Sequence, residues 1–144
     1  MAATVVAILN TNDDVVEMLR IVLENAGYVT VSIHVDAIRR GDQNLSDFVE
    51  EHDPRVIIYD IPPPYERNWR YFEHVRESPM MRGRKFVVTT TNARQLHALV
   101  GDAMPVYEIV GKPYDLDRLV QAVKDAIGPA LAQPASTSGS SRPS

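Results

Sequence analysis

Three polar residues in this chain each follow a short apolar stretch: Asp60 after Arg55 to Tyr59, Thr90 closing Phe86 to Thr90, and Lys112 just beyond Val106 to Val110. A carboxylate, a hydroxyl and an ammonium are the groups that phosphoryl chemistry needs. The carboxylate attacks phosphorus, and the other two hold its equatorial oxygens. An acid directly behind Val56, Ile57, Ile58 and Tyr59 suits a site better than a purely structural acid. Thr90 lies in a threonine run that β-propensity alone would favour, so it gains meaning only beside Asp60 and Lys112. A fourth corner, "NTNDD" from Asn10 to Asp14, closes the first apolar stretch with uncharged residues and brings its acids only afterwards. Asn12 or Asp13 there suits a helix cap, and Asp14 suits the positive end of the helix dipole. Asp13 and Asp14 are also candidate stand-in metal ligands, though each is displaced from the strand end.

These residues meet only if the stretches are parallel strands whose carboxyl ends share one edge. Thr4–Leu9, Tyr28–Ile33, Arg55–Tyr59, Phe86–Thr90 and Val106–Val110 read as strands. Helical periodicity fills the gaps. Val15, Met18, Leu19, Val22, Leu23 and Ala26 precede Gly27, and Asp36–His52 is helical with a break at Gly41–Asp42. Asn68–Arg76 follows a proline loop, Ile61–Tyr65, expected to be neither helical nor paired. Ala93–Val100 and a last helix from near Asp115 complete the pattern. Strands alternating with helices predict an α/β three-layer sandwich around a five-stranded parallel sheet. Right-handed crossovers then bring the carboxyl ends to one edge, where such folds hold ligands. With the order 2-1-3-4-5, Asn10 and Thr11 flank Asp60 on one side, Thr90 and then Lys112 on the other.

In this order the motifs resemble the response-regulator receiver domain of two-component signalling, over about Thr4 to Ile127, whose fold is flavodoxin-like. "VIIYDIPPP" is similar to the family's phosphoacceptor strand, with Asp60 as acceptor and Pro64 as the proline four residues on. "FVVTT" aligns Thr90 with the switch hydroxyl, and "VGKPYDLDRL" aligns Lys112 with the family lysine. The departures are as specific. The family's acidic pair is replaced by Asn10 and Thr11, its aromatic switch by Ile109, and the glycine after the proline by Tyr65. The resemblance therefore implies an atypical receiver. Mg²⁺ would find Asp60, the Pro62 carbonyl and the Asn10 amide oxygen, one formal charge where the usual site has three, so its binding is expected to be weak or absent. The implied partners are a histidine kinase or phosphotransfer protein, a downstream protein target reached through about residues 92–127, and a second copy of the chain in a possible homodimer. The alternative is a pseudo-receiver, a phosphorylation-independent interaction or dimerisation module.

Composition narrows the other classes. The chain has 144 residues, 44% apolar and 24% charged, with a net charge of -4 and no cysteine. That suits one domain, residues 1–128, and excludes disulfides, thiolate metal sites and cysteine nucleophiles. The cluster Arg82, Arg84, Lys85 lacks the interleaved aromatics of a nucleic-acid surface, so no nucleic-acid partner is expected. No signal-like or membrane-spanning apolar run appears, so the cytoplasm is expected. The four histidines lack ligand spacing. Residues 129–144 are rich in Ser, Pro and Ala and read as a disordered tail, which leaves no output domain after the last helix. An enzyme of another class is not expected. A dehalogenase-like phosphatase wants an acid where Pro62 stands, and no glycine-rich or Walker-type phosphate loop follows the first strand.

Overall fold

The computed structural model describes residues 4–10, 12–101, 106–108 and 113–128. Four strands of six residues form the body of a parallel sheet: β1 (Val5–Asn10), β2 (Val29–His34), β3 (Val56–Ile61) and β4 (Lys85–Thr90). They lie in the order 2-1-3-4. Of the expected Val106–Val110 strand, Val106–Glu108 is described (β5) and lies on the outer side of β4, while 109–110 fall outside the described residues.

Strand alternation divides the core in two. Val6, Ile8, Val56, Ile58 and Val87 face α1 (Asp13–Asn25) and α6 (Pro113–Ile127), packing on Leu19, Leu23, Leu119 and Val123. Ala7, Leu9, Ile57, Tyr59, Ile61 and Val88 face the opposite layer. That layer is α2 (Val35–Arg40), α3 (Leu45–His52), α4 (Tyr65–Arg76) and α5 (Ala93–Val100). A run buried on both faces has to be apolar throughout, which is why β1 and β3 read as unbroken hydrophobic stretches. Phe72 of α4 anchors the second layer. It is fully buried, with ring centroids 4.8 Å from Tyr59, 5.2 Å from Trp69 and 5.5 Å from Phe86.

The segment 36–52 breaks where glycine permits it. Gly41 takes φ 83° and closes α2, and Asn44 starts α3 by accepting from the Asp47 amide at 3.0 Å. The proline loop differs from expectation at both ends. Ile61 is inside β3, in register with Thr90, and Tyr65 opens α4 directly behind Pro64. Prolines 62–64 remove donors, but the first turn of a helix has no intrahelical acceptors for its N–H groups anyway, so the helix can begin at once. Arg84 of the basic cluster is structural, donating to Asp53 at 2.7 Å and to the Pro54 carbonyl at 2.8 Å. Among the described residues no helix is long and apolar enough to cross a membrane.

Candidate functional site

Asp60 stands one residue inside the carboxyl end of β3, on the face shared by Val56 and Ile58. Its residue is half-buried, and its Oδ1 accepts a hydrogen bond from the Thr89 hydroxyl at 2.8 Å. Burial pushes the carboxyl above its ordinary range, and the Thr89 bond pulls part of the way back. The hydroxyl beside the carboxylate is thus Thr89 and not the expected Thr90. The reason is parity. β3 and β4 pair Asp60 with Thr89 and Ile61 with Thr90. Side chains alternate along a strand, so Thr89 shares the Asp60 face and Thr90 shares that of Ile61. Thr90 is fully buried and donates to the Ile61 carbonyl at 2.9 Å.

The first-strand corner is tied into a local knot. Asn10 ends β1 buried, and its Oδ1 accepts from the Asn12 amide at 2.8 Å. Asn12 in turn caps α1, accepting from the amides of Asp14 at 2.9 Å and Val15 at 3.2 Å. Asp13 and Asp14 occupy the first turn of that helix and are exposed. "NTNDD" is therefore a helix start, with Asn12 as the cap.

A shallow cavity of about 220 Å³ opens between β3, α2 and α4, bordered by Arg39, Tyr59, Asp60, Pro62, Arg67 and Asn68. Asn68 is the member that sequence reasoning missed. It is 3% exposed, and its Nδ2 donates to the Pro62 carbonyl at 2.8 Å. Its Oδ1 accepts from the Arg39 guanidinium, whose central carbon Cζ lies 4.7 Å from the Tyr71 ring centroid. An asparagine directly behind Glu66 and Arg67 reads as surface in sequence, and only the helical phase from Phe72 and Val75 hints that Asn68 turns inward. The Tyr59 hydroxyl is buried at the same wall without a hydrogen-bond partner among the described residues, and burial pushes its pKa up.

These contacts decide whether Mg²⁺ fits. The three groups expected to offer oxygens each already accept a hydrogen bond: Asp60 Oδ1 from Thr89, the Pro62 carbonyl from Asn68, and Asn10 Oδ1 from Asn12. No group of three His, Cys, Asp or Glu side chains among the described residues converges on a metal position. One half-buried carboxyl and two occupied neutral oxygens do not fit a divalent cation that wants hard, largely anionic ligands. Lys112, Thr11 and Ile109 lie outside the described residues.

No family model matches the sequence, and no curated protein does. Solved structures do match in shape. A signal receiver domain of a two-component histidine kinase from Clostridium thermocellum superposes with a TM-score of 0.67 at 18% identity, covering 88% of this chain and 99% of that one. The chemotaxis protein CheY4 of Vibrio cholerae gives 0.61 at 20% identity, covering 85% and 100%. The signal receiver domain of a putative Luxo repressor protein from Vibrio parahaemolyticus gives 0.56 at 17% identity, covering 93% and 100%. The chain has the α/β, flavodoxin-like fold of receiver domains.

Proposed function

We propose that this chain is an atypical receiver of phosphorelay signalling that accepts a phosphoryl group on Asp60, weakly or conditionally, and passes the signal to protein partners. The observation that carries the reading is the Asp60–Thr89 pair: a half-buried carboxyl at the carboxyl edge of a receiver-type sheet, held by a hydroxyl of the next strand. In the transfer, a carboxylate oxygen of Asp60 attacks phosphorus in line. The phosphorus–nitrogen bond of a donor phosphohistidine breaks, an acyl phosphate forms, and the released imidazole takes up a proton. The Thr89 hydroxyl keeps the second carboxylate oxygen aimed, and Lys112 is assigned the ammonium role on the phosphoryl oxygens. Without a well-formed cation site the developing charge is poorly neutralised, which makes the reaction slow. The donor is a histidine kinase or phosphotransfer protein. Output goes through about residues 92–127, to a protein target or a second copy of the chain, in the cytoplasm and without nucleic acid. The chain is a signalling module and not an enzyme acting on a separate substrate.

The test is intact-mass analysis after incubation with acetyl phosphate or phosphoramidate. We expect slow gain of one phosphoryl group in the wild type and none in Asp60→Asn. Equal labelling of both proteins would remove Asp60 from the role. One observation favours a second reading, the phosphorylation-independent pseudo-receiver: the Asn10 and Pro62 oxygens are engaged in internal hydrogen bonds. Absence of labelling from every donor, with partner binding unchanged in Asp60→Asn, would select it.

A further inference from the structure

The Pro62 carbonyl is the oxygen a cation at Asp60 would need from the loop between β3 and α4, and Asn68 holds it instead. The geometry points to a relay that takes over the organising task of a metal: Arg39 donates to Asn68 Oδ1, and Asn68 Nδ2 donates to the Pro62 carbonyl at 2.8 Å. We infer that Arg39 and Asn68 are positioning residues that set this loop without a cation and compete with any cation for the Pro62 carbonyl.

Three features support it. Asn68 is 3% exposed, so its amide must be satisfied on both sides, and the two partners satisfy it. Arg39 is aimed by more than one contact, since its guanidinium also lies over the Tyr71 ring at 4.7 Å. Among the described residues no ion pair involves Arg39, and the side-chain acceptor found for its guanidinium is the Asn68 amide oxygen. A charged donor on the carbonyl end of an amide polarises it and makes its N–H a stronger donor at the other end. The relay thereby delivers partial positive charge to the same carbonyl that a cation would approach. It also spans two elements, joining α2 to the entrance of α4 beside the cavity at Asp60.

The inference rests on the receiver reading only in taking Pro62 as the loop carbonyl a cation would use. Its test needs no phosphodonor, so failure of phosphorylation and failure of the relay are separate results. Mg²⁺ alone is titrated into the full chain by calorimetry and by the emission of Trp69, the single tryptophan, adjacent to Asn68 and packed on Phe72 at 5.2 Å. The parent is Asn10→Asp with Thr11→Asp, which supplies enough charge for measurable binding. Adding Asn68→Leu, near in volume and unable to hydrogen-bond, is expected to tighten Mg²⁺ at least about tenfold, equivalent to about 1.4 kcal/mol. It should also make Trp69 emission respond to Mg²⁺ more strongly than in the parent. Adding Arg39→Met, at an exposed residue on α2, should shift affinity the same way by a smaller factor, and it serves where Asn68→Leu fails to fold. Unchanged Mg²⁺ affinity in Asn68→Leu would overturn the competition. Unchanged affinity in Arg39→Met would overturn the relay of charge.

Discussion

Two neighbouring corners of the sheet's carboxyl edge solve the same local problem in opposite ways. At β3 and β4 the chain leaves a carboxyl half-buried and bonds it to one hydroxyl, Thr89. At β1 it places a neutral amide, Asn10, fully inside and ties it to the start of the next helix. A carboxyl kept short of donors has capacity left for a further partner, because burial disfavours its charge and little compensates. An amide that feeds a helix cap is spent on structure. Position at a strand end does not make a site. What matters is whether the polar group is left with unused capacity in a low-dielectric setting.

The largest expected change comes from making the first corner resemble the second. Asn10→Asp with Thr11→Asp adds two negative charges after Leu9 of β1, the strand paired with β3. Close charges interact by on the order of 4 kcal/mol at an effective dielectric near 20, much of it offset by solvation. Mg²⁺ should bind at least roughly tenfold tighter, about 1.4 kcal/mol, and acetyl-phosphate labelling in Mg²⁺ should rise with it. Wild-type affinity equal to that of the double variant, by calorimetry, would show that Asp13 or Asp14 already serves as ligand and would undo the contrast between the corners.

The two threonines sharpen it next. Thr89→Val removes the hydroxyl on Asp60 and should slow labelling severalfold; it also takes the one side-chain donor from a half-buried carboxyl and should destabilise by about 1–2 kcal/mol at neutral pH. Thr90→Val strands the Ile61 carbonyl inside the protein and should destabilise by about 1–2 kcal/mol in urea unfolding. Its effect on labelling should be the smaller of the two. The reverse pattern would restore Thr90 as the site hydroxyl.

A smaller effect belongs to the cap. Asn12→Ala removes the acceptor for the Asp14 and Val15 amides and should lower stability by about 1 kcal/mol, measured by thermal or urea unfolding. A neutral result would mean that Asp13 takes over the cap.

How much of this was legible in the sequence follows from which rule governs each part. Unbroken apolar runs at β1 and β3, and the spacing of Leu19, Leu23, Leu119 and Val123, dictate their elements directly, so the layers were readable. The helix cap at Asn12 was readable because a cap is a local event of three residues. Thr89 was missed because the relevant variable is cross-strand register. Two adjacent threonines face opposite layers, and a shift of one residue exchanges them. Asn68 was missed because its partners, Arg39 and Pro62, lie on separate elements that only the tertiary fold brings together. The start of α4 at Tyr65 is not legible from the sequence because proline breaks a helix in its interior yet is also well suited to stand just ahead of one.

The smallest expected effect concerns the charge at Asp60 itself. Burial raises its carboxyl above the ordinary value, so the folded state favours the protonated form more than the unfolded chain does. A group with a raised folded pKa contributes stability that is fully present below the unfolded value and is lost as pH rises through the folded one. At neutral pH the wild type therefore carries a half-buried charge for which the Thr89 hydroxyl is the one side-chain donor found among the described residues. Asp60→Asn keeps the acceptor for Thr89 and removes that charge. It should stabilise the protein at pH 7 by up to about 1 kcal/mol, in line with the penalty of an imperfectly satisfied buried group. The gain should shrink as pH falls through the carboxylate range, where the wild-type carboxyl is neutral in both states. Urea unfolding of both proteins from pH 7 down to the stability limit measures it. A variant less stable than the wild type at neutral pH would mean that the Asp60 carboxylate is well compensated where it stands. The difference between the Asp60 corner and the Asn10 corner would then lie in geometry and not in unmet charge.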